Sequence, residues 1–215
     1  MTGENDPIYS YILAHIEEEP KLLNDIYRST WLNHLYPRMC SGHLQGRILK
    51  ILTAIKNPRR VLELGTFTGY SALSIAEGLS DGAVLHTVEI DDELTDELTA
   101  LFASTPLGDK INLHIGDALQ LIPSIGKEWD MVYIDADKRL YRQYLDMLLP
   151  TLSPNALIIA DNTLWGGKVA HPDTTSDAQT KAILDFNDYV AHHPRLSTVI
   201  LPLRDGLTLM TLKPA

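Results

Sequence analysis

A chain of 215 residues in which 45% of side chains are hydrophobic and 21% charged is long enough to bury one sizeable core without disulfides or structural metal. Its formal net charge of -10 argues against broad attraction to nucleic acid, and its longest apolar runs, such as ALIIA at 156–160, fall far short of the roughly 20 residues that a membrane-spanning helix needs. Cys40 is the only cysteine, which excludes an internal disulfide, and with no positively charged, apolar leader at the N-terminus a cytoplasmic protein is expected.

Apolar residues recur at helical spacing from Ile8 to Leu35, with Pro20 as the break between two helices. The run HIEEEPK at 15–21 reads as a solvated helix face. A third helix is predicted from Gly42 to Ile55, ended by Asn57 and Pro58. Residues 1–57 thus read as a helical extension to a core over 58–215, the whole forming one domain. From there strand and helix alternate: VLEL at 61, a helix over 70–79, AVLHTVEI at 83, a helix over 91–103, INLHI at 111 and a short helix after Asp117. MVYID at 131, a helix over 140–149 and ALIIAD at 156 continue the alternation. Such alternation needs crossover connections and gives a Rossmann-like, doubly wound α/β fold. After a helix over 177–191, LSTVILPL and LTLMTL are joined across Arg204-Asp205-Gly206, which predicts an antiparallel hairpin at one edge of a mostly parallel, seven-stranded sheet. The segment 166–176 is the most loop-like and is expected to cover the site.

Two of these strands end in charge, DMVYIDADKRL at 130–140 and ALIIADN at 156–162, and neighbouring strands that deliver carboxylates to one sheet edge place hard oxygens around one point. VLELGTFTGYSAL passes from strand through Gly65 and Gly69 into a helix, the construction with which open α/β folds bind cofactors. Phe67 holds the place of the second glycine of G-x-G-x-x-G, so a pyrophosphate is poorly supported. Glu63 precedes the turn, Glu89 closes the second strand where an acid can accept from ribose hydroxyls, and Gly116-Asp117-Ala118 could recognise an adenine. A nucleoside whose tail carries an amine, with no phosphates, has the shape of S-adenosylmethionine.

The chain resembles the cation-dependent O-methyltransferases related to catechol and caffeoyl-CoA O-methyltransferases, through PRMCSGHLQG, VLELGTFTGYSAL, VEID, GDAL, YIDADKRLYRQYL and IIADNTLWGGKV, from about residue 35 onward. That resemblance implies Asp135, Asp161 and Asn162 as metal ligands, and two carboxylates with an amide carbonyl suit magnesium or another divalent cation. It implies Lys138 as the general base, although an amine with an ordinary pKa near 10.4 needs desolvation or a nearby cation to play that part. It also implies cofactor contacts from Met39, Ser41, Glu63, Gly65, Thr66, Ser71, Glu89, Asp117, Ala118 and Asp135, and a homodimer. The expected reaction is methylation of one hydroxyl of a catechol-like small molecule.

Other readings stand beside these. Relatives that methylate 5-hydroxyuridine in tRNA would require a basic surface, for which Arg28, Arg38, Arg47, Lys138, Arg139, Arg142 and Lys168 are the available cations. A non-catalytic S-adenosylmethionine-binding module is the alternative from another class, and an NAD-dependent dehydrogenase fails on the glycine spacing. Asp137 reads as a solvated or structural carboxylate, Cys40 as an inert buried thiol, and His86 and His114 as satisfied core or edge residues of strands. His192 and His193 suit a helix end, and Trp165 and Tyr70 serve equally as site walls or packing.

Overall fold

The computed structural model describes residues 7–171 and 177–214. Three helices come first: α1 (Pro7–Ala14), α2 (Lys21–Asn33) and α3 (His43–Lys56). The chain then runs through β1 (Arg60–Leu64), α4 (Tyr70–Gly78), β2 (Val84–Glu89), α5 (Thr95–Ala103), β3 (Ile111–Ile115) and α6 (Ala118–Ile125). It continues through β4 (Trp129–Ile134), α7 (Tyr141–Leu148), β5 (Leu152–Asp161), α8 (Ala178–His192), β6 (Leu196–Leu201) and β7 (Leu207–Leu212). No helix among the described residues is long and apolar enough to cross a membrane.

The seven strands lie in the order β3-β2-β1-β4-β5-β7-β6, the first five parallel and β7 antiparallel to both its neighbours. Period-two patterning in the central strands explains why both faces are covered. Leu62, Leu64, Val132, Ile134, Ile158 and Ala160 pack with Ile122, Tyr141, Leu145 and Phe186 from α6, α7 and α8. Their sequence neighbours Val61, Met131, Tyr133 and Ile159 pack with Leu23, Leu49, Leu73 and Leu98 from α2, α3, α4 and α5. From β1 the chain moves outward to β2 and β3, then returns to place β4 on the other side of β1. The crevice beyond the carboxyl ends of β1 and β4 is therefore where an open α/β sheet binds ligands.

Several expectations shift. HIEEEPK is no helix face: α1 stops at Ala14, and the acidic run is the connection to α2. Glu17 accepts from Lys50 Nζ at 2.6 Å and Arg47 at 3.3 Å, while Glu19 takes the Tyr70 hydroxyl, so two of its three glutamates fasten the α1–α2 connection to α3 and α4. Within the segment 166–176, residues 166–170 belong to a 3₁₀ turn, Trp165–Ala170, and 172–176 lie outside the described residues. β5 begins at Leu152, ahead of the predicted run, and β6 ends at Leu201 because Pro202 has no N–H to continue the ladder.

At the outer edge of the sheet, His86 of β2 and His114 of β3 stack with 8° between their planes, and His86 Nδ1 lies 3.0 Å from His114 Nε2. One ring must present a lone pair to the other's N–H, so the pair cannot be doubly protonated and keep that bond. Burial, then the charges on His114 and Arg60, lower the His86 pKa to about 4. The unfolded chain binds a proton near pH 6.5, so this contribution to stability is complete above about pH 6.5 and is lost as pH falls toward about 4. Urea midpoints at pH 7 and pH 5 should differ more for the wild type than for His86→Gln; an equal fall in both would dismiss the pair as the cause.

Candidate active site

The glycine turn follows β1 directly. Gly65 has a φ of +97°, and a Cβ there would lie 2.1 Å from the carbonyl oxygen of Asp135, so only glycine lets the tips of β1 and β4 approach this closely. Phe67, at the place of a second glycine, also adopts positive φ, +47°. Glu89 holds the turn: Oε2 accepts from the backbone N–H of Thr66 at 3.1 Å and Phe67 at 2.7 Å, and Oε1 accepts from Asp91 at 2.9 Å.

Glu63 lies below the turn, fully buried, with Oε2 accepting from Thr87 at 2.6 Å and Oε1 without a partner. Burial pushes its carboxyl up to about 8, so it is protonated at neutral pH. Asp117 caps α6 by accepting from Leu119 N–H at 2.9 Å and stands with Ala118 at the end of β3.

The tips of β4 and β5 are neighbours. Their last registered pair is Ile134 with Ala160, and the Tyr141 hydroxyl lies 3.1 Å from the carbonyl oxygens of both Ile134 and Asp161. Asp135 Oδ1 accepts from Lys138 Nζ at 2.6 Å, and the ammonium also lies 5.3 Å from the Tyr141 ring centroid. Burial raises the Asp135 carboxyl, with Lys138 opposing. Asp161 is buried; Oδ2 accepts from Gln45 Nε2 at 2.5 Å and Tyr133 Oη at 3.0 Å, and Oδ1 from Asn162 N–H at 2.7 Å. Asn162 has a φ of +58°, in the left-handed region that Asn tolerates better than most.

All these groups surround one cleft of about 920 Å³, which Met39, Ser41, Gly65, Thr66, Ser71, Glu89, Asp117, Ala118, Asp135, Lys138, Asp161 and Asn162 line, while Glu63 sits behind its wall. Tyr70 and Trp165 line it too, Tyr70 being mostly core. Asp137 pairs with Arg139 at its own turn, as a structural carboxylate should. Burial pushes the Cys40 thiol up to about 11, which leaves it inert. Sequence reading passed over Gln45, Tyr133 and Arg204. Gln45 and Tyr133 sit among apolar neighbours on elements whose other buried residues form the core, and a fully buried amide or hydroxyl there was the available signal.

With Glu89 and Asp135 on its wall, the cleft suits a ligand that carries a positive charge, such as a nucleoside with a cationic tail. A family model described as O-methyltransferase matches residues 14–213, reaching further toward the N-terminus than the motifs alone suggested. The chain belongs to the O-methyltransferase family. Caffeoyl-CoA O-methyltransferase of Eucalyptus gunnii is 31% identical to this methyltransferase, over 96% of this chain and 87% of its own length. O-methyltransferase ankF of Aspergillus thermomutatus is 31% identical over 94% and 91%. Among solved structures, the O-methyltransferase TomG of Streptomyces achromogenes in complex with SAM superposes with a TM-score of 0.87 at 25% identity over 96% of both chains. The SAH-bound methyltransferase PaMTH1 of Podospora anserina gives 0.89 at 26%, over 97% of this chain and 95% of that one. This methyltransferase is an S-adenosylmethionine-dependent enzyme, which closes the readings as a non-catalytic module and as a dehydrogenase.

The Asp161 carboxylate depends on Gln45, whose amide spans Asp161, Tyr133 and Arg204. Gln45→Leu removes one donor from a buried carboxylate and should destabilise the fold by about 1–3 kcal/mol. Chemical denaturation measures it, and a change below about 0.5 kcal/mol, the size of an ordinary surface substitution, would show that the amide holds nothing.

Proposed function

We propose that this methyltransferase transfers a methyl group to one hydroxyl of a catechol-like small molecule, with a divalent cation held by Asp135, Asp161 and Asn162 and with Lys138 as general base. One observation carries this reading: two carboxylates and an amide at adjacent strand tips share a cleft with a lysine 2.6 Å from one of those carboxylates. Among the described residues no three His, Cys, Asp or Glu side chains form a metal-holding group, so the donor set in question is two carboxylates completed by an amide. That set is all hard oxygen, which fits magnesium or a similar ion that keeps some water.

When bound, such a cation supplies Lewis acidity, lowering the pKa of a hydroxyl it chelates. When bound, S-adenosylmethionine supplies an electrophilic methyl whose in-line transfer to oxygen leaves S-adenosylhomocysteine. The protein's own contribution is placement. In this reading Gly65 and Glu89 would shape the cofactor's cradle, Asp135 would lie toward the acceptor, and Lys138, 2.6 Å from Asp135, would take the hydroxyl proton. Holding oxygen, methyl carbon and sulfur in line accounts for much of the acceleration, since displacement at carbon needs that geometry.

The tRNA reading draws less support. Of the seven cations that could build a basic face, Arg47 is buried against Glu77, and Lys138, Arg139, Arg142 and Lys168 are paired with Asp135, Asp137, Asp185 and Asp177.

Lys138→Ala should lower kcat on catechol about 100-fold or more, the lower range for a general base, while S-adenosylhomocysteine affinity by calorimetry stays within about threefold. A full rate in that variant removes Lys138 from the chemistry. Chelator should abolish turnover, with magnesium restoring it in the wild type but not in Asp161→Ala; activity in excess chelator would overturn the metal.

A further inference from the structure

A second cavity, of about 880 Å³, adjoins the cleft and is lined by Tyr9, Tyr27 and Trp31 among others. Cys40, Ser41, Arg38 and Arg204 line both spaces and so form their common wall. Arg204 stands in the turn between β6 and β7 with a φ of +46°, a conformation that L residues with side chains rarely adopt. Backbone strain of this kind persists only where surrounding contacts hold it, and it clusters at ligand sites.

What holds it is neutral. Arg204 Nη1 donates to Gln45 Oε1 at 3.3 Å and Nη2 to the Cys40 carbonyl at 3.2 Å. No ion pair among the described residues includes Arg204, and the adjacent Asp205 accepts the Gly166 N–H on its Oδ1 instead. Asp135 and Asp205 act on this charge only at longer range. Of the five N–H donors on a guanidinium, two are engaged in these bonds, and this permanently charged planar fork borders both the cleft and the second cavity. That fork matches an oxyanion, and a part-buried cation without a contact counter-ion gains from acquiring one.

We propose that Arg204 is a specificity-determining residue that selects acceptors carrying an oxyanion: a hydroxylated arene bearing a carboxylate, paired with the guanidinium at the junction of the two cavities, in preference to a neutral catechol. This rests on the reading that places an acceptor hydroxyl beside Lys138. The aromatic-lined second cavity would take whatever extends beyond the anion.

Protocatechuate and its methyl ester share the catechol ring and differ in that charge and one methyl group, which makes them the test pair. Wild-type enzyme should favour the acid by about tenfold in kcat/KM, within the range for a charged contact. Arg204→Gly, which also relieves the positive φ, and Arg204→Gln should both bring the acid-to-ester ratio near one, whereas Arg204→Lys should keep part of the preference. Calorimetry on the S-adenosylhomocysteine complex should show the same order for binding of the two compounds, independently of turnover. A ratio near one in the wild type, or one that the substitutions leave unchanged, overturns the assignment while leaving catechol methylation standing. A large loss of S-adenosylhomocysteine affinity in Arg204→Gly with the ratio intact would assign the guanidinium to the cofactor's carboxylate and also overturn it. Methyl transfer to neither compound, with cofactor binding intact, would remove the catechol reading and this one together.

Discussion

The close approach of two backbones at the tips of β1 and β4 is the constraint on which the site depends. With Gly65 seated against the Asp135 carbonyl, the Asp135 N–H reaches the Leu64 carbonyl at 2.8 Å and the Gly65 N–H reaches that of Val88 at 2.9 Å. The turn is thereby locked to the strands on both sides. The Thr66 and Phe67 amides then face Glu89, and the start of α4 falls over Glu63. Any side chain at position 65 would separate the strands or rotate the turn, and the acids would no longer surround one volume.

Gathering carboxyls in that volume is costly, and each acid meets the cost differently. Glu63, with one hydrogen-bonded oxygen and no exposure, takes up a proton. Asp135 leans on Lys138, and Asp161 on the donors Gln45 and Tyr133 together with its own neighbouring amide. These solutions differ in how readily a ligand can replace them. The Asp161 donors are fully buried hydrogen bonds, whereas the Lys138 pair is part-buried at the cleft wall. A cationic ligand beside Asp135 would meet a carboxyl whose charged form burial has made costly and which gains from a neighbouring positive charge.

Much of the architecture was legible because it rests on local signals. Period-two runs such as VLEL and MVYI, helical spacing between them, and Gly-Thr-Phe-Thr-Gly between strand and helix are each readable within about ten residues. The antiparallel hairpin was legible for the same reason. The acidic run 15–21 was misread because its meaning is tertiary: Glu17 matters through Arg47 and Lys50, thirty and thirty-three positions away. Gln45 is the sharper case, since its partner Asp161 lies 116 positions on. No periodicity distinguishes such a residue, because on α3 it occupies the same buried face as Leu49 and Thr53. The resemblance pointed to Asp135, Asp161 and Asn162 and not to the residues that hold Asp161 in place.

The hairpin is more than an edge to the sheet. Since β7 runs antiparallel to β5, with Leu207 opposite Asp161, the turn between β6 and β7 falls at the same end of the sheet as the tips of β4 and β5. A seventh strand entered in parallel would have put its connection at the far end. The antiparallel arrangement instead brings Arg204 and Asp205 beside the segment that follows Asp161. Backbone bonds seal the contact, from Thr163 N–H to Gly206 at 3.1 Å and from Leu164 N–H to Asp205 at 2.8 Å. Through Gln45, the same turn is tied to α3, and through α3 to the glutamates that fasten the N-terminal helices. This side of the cleft is therefore assembled from both ends of the chain around a scaffold built by its middle, and it is set apart from the close approach at Gly65, which β1 and β4 make on their own.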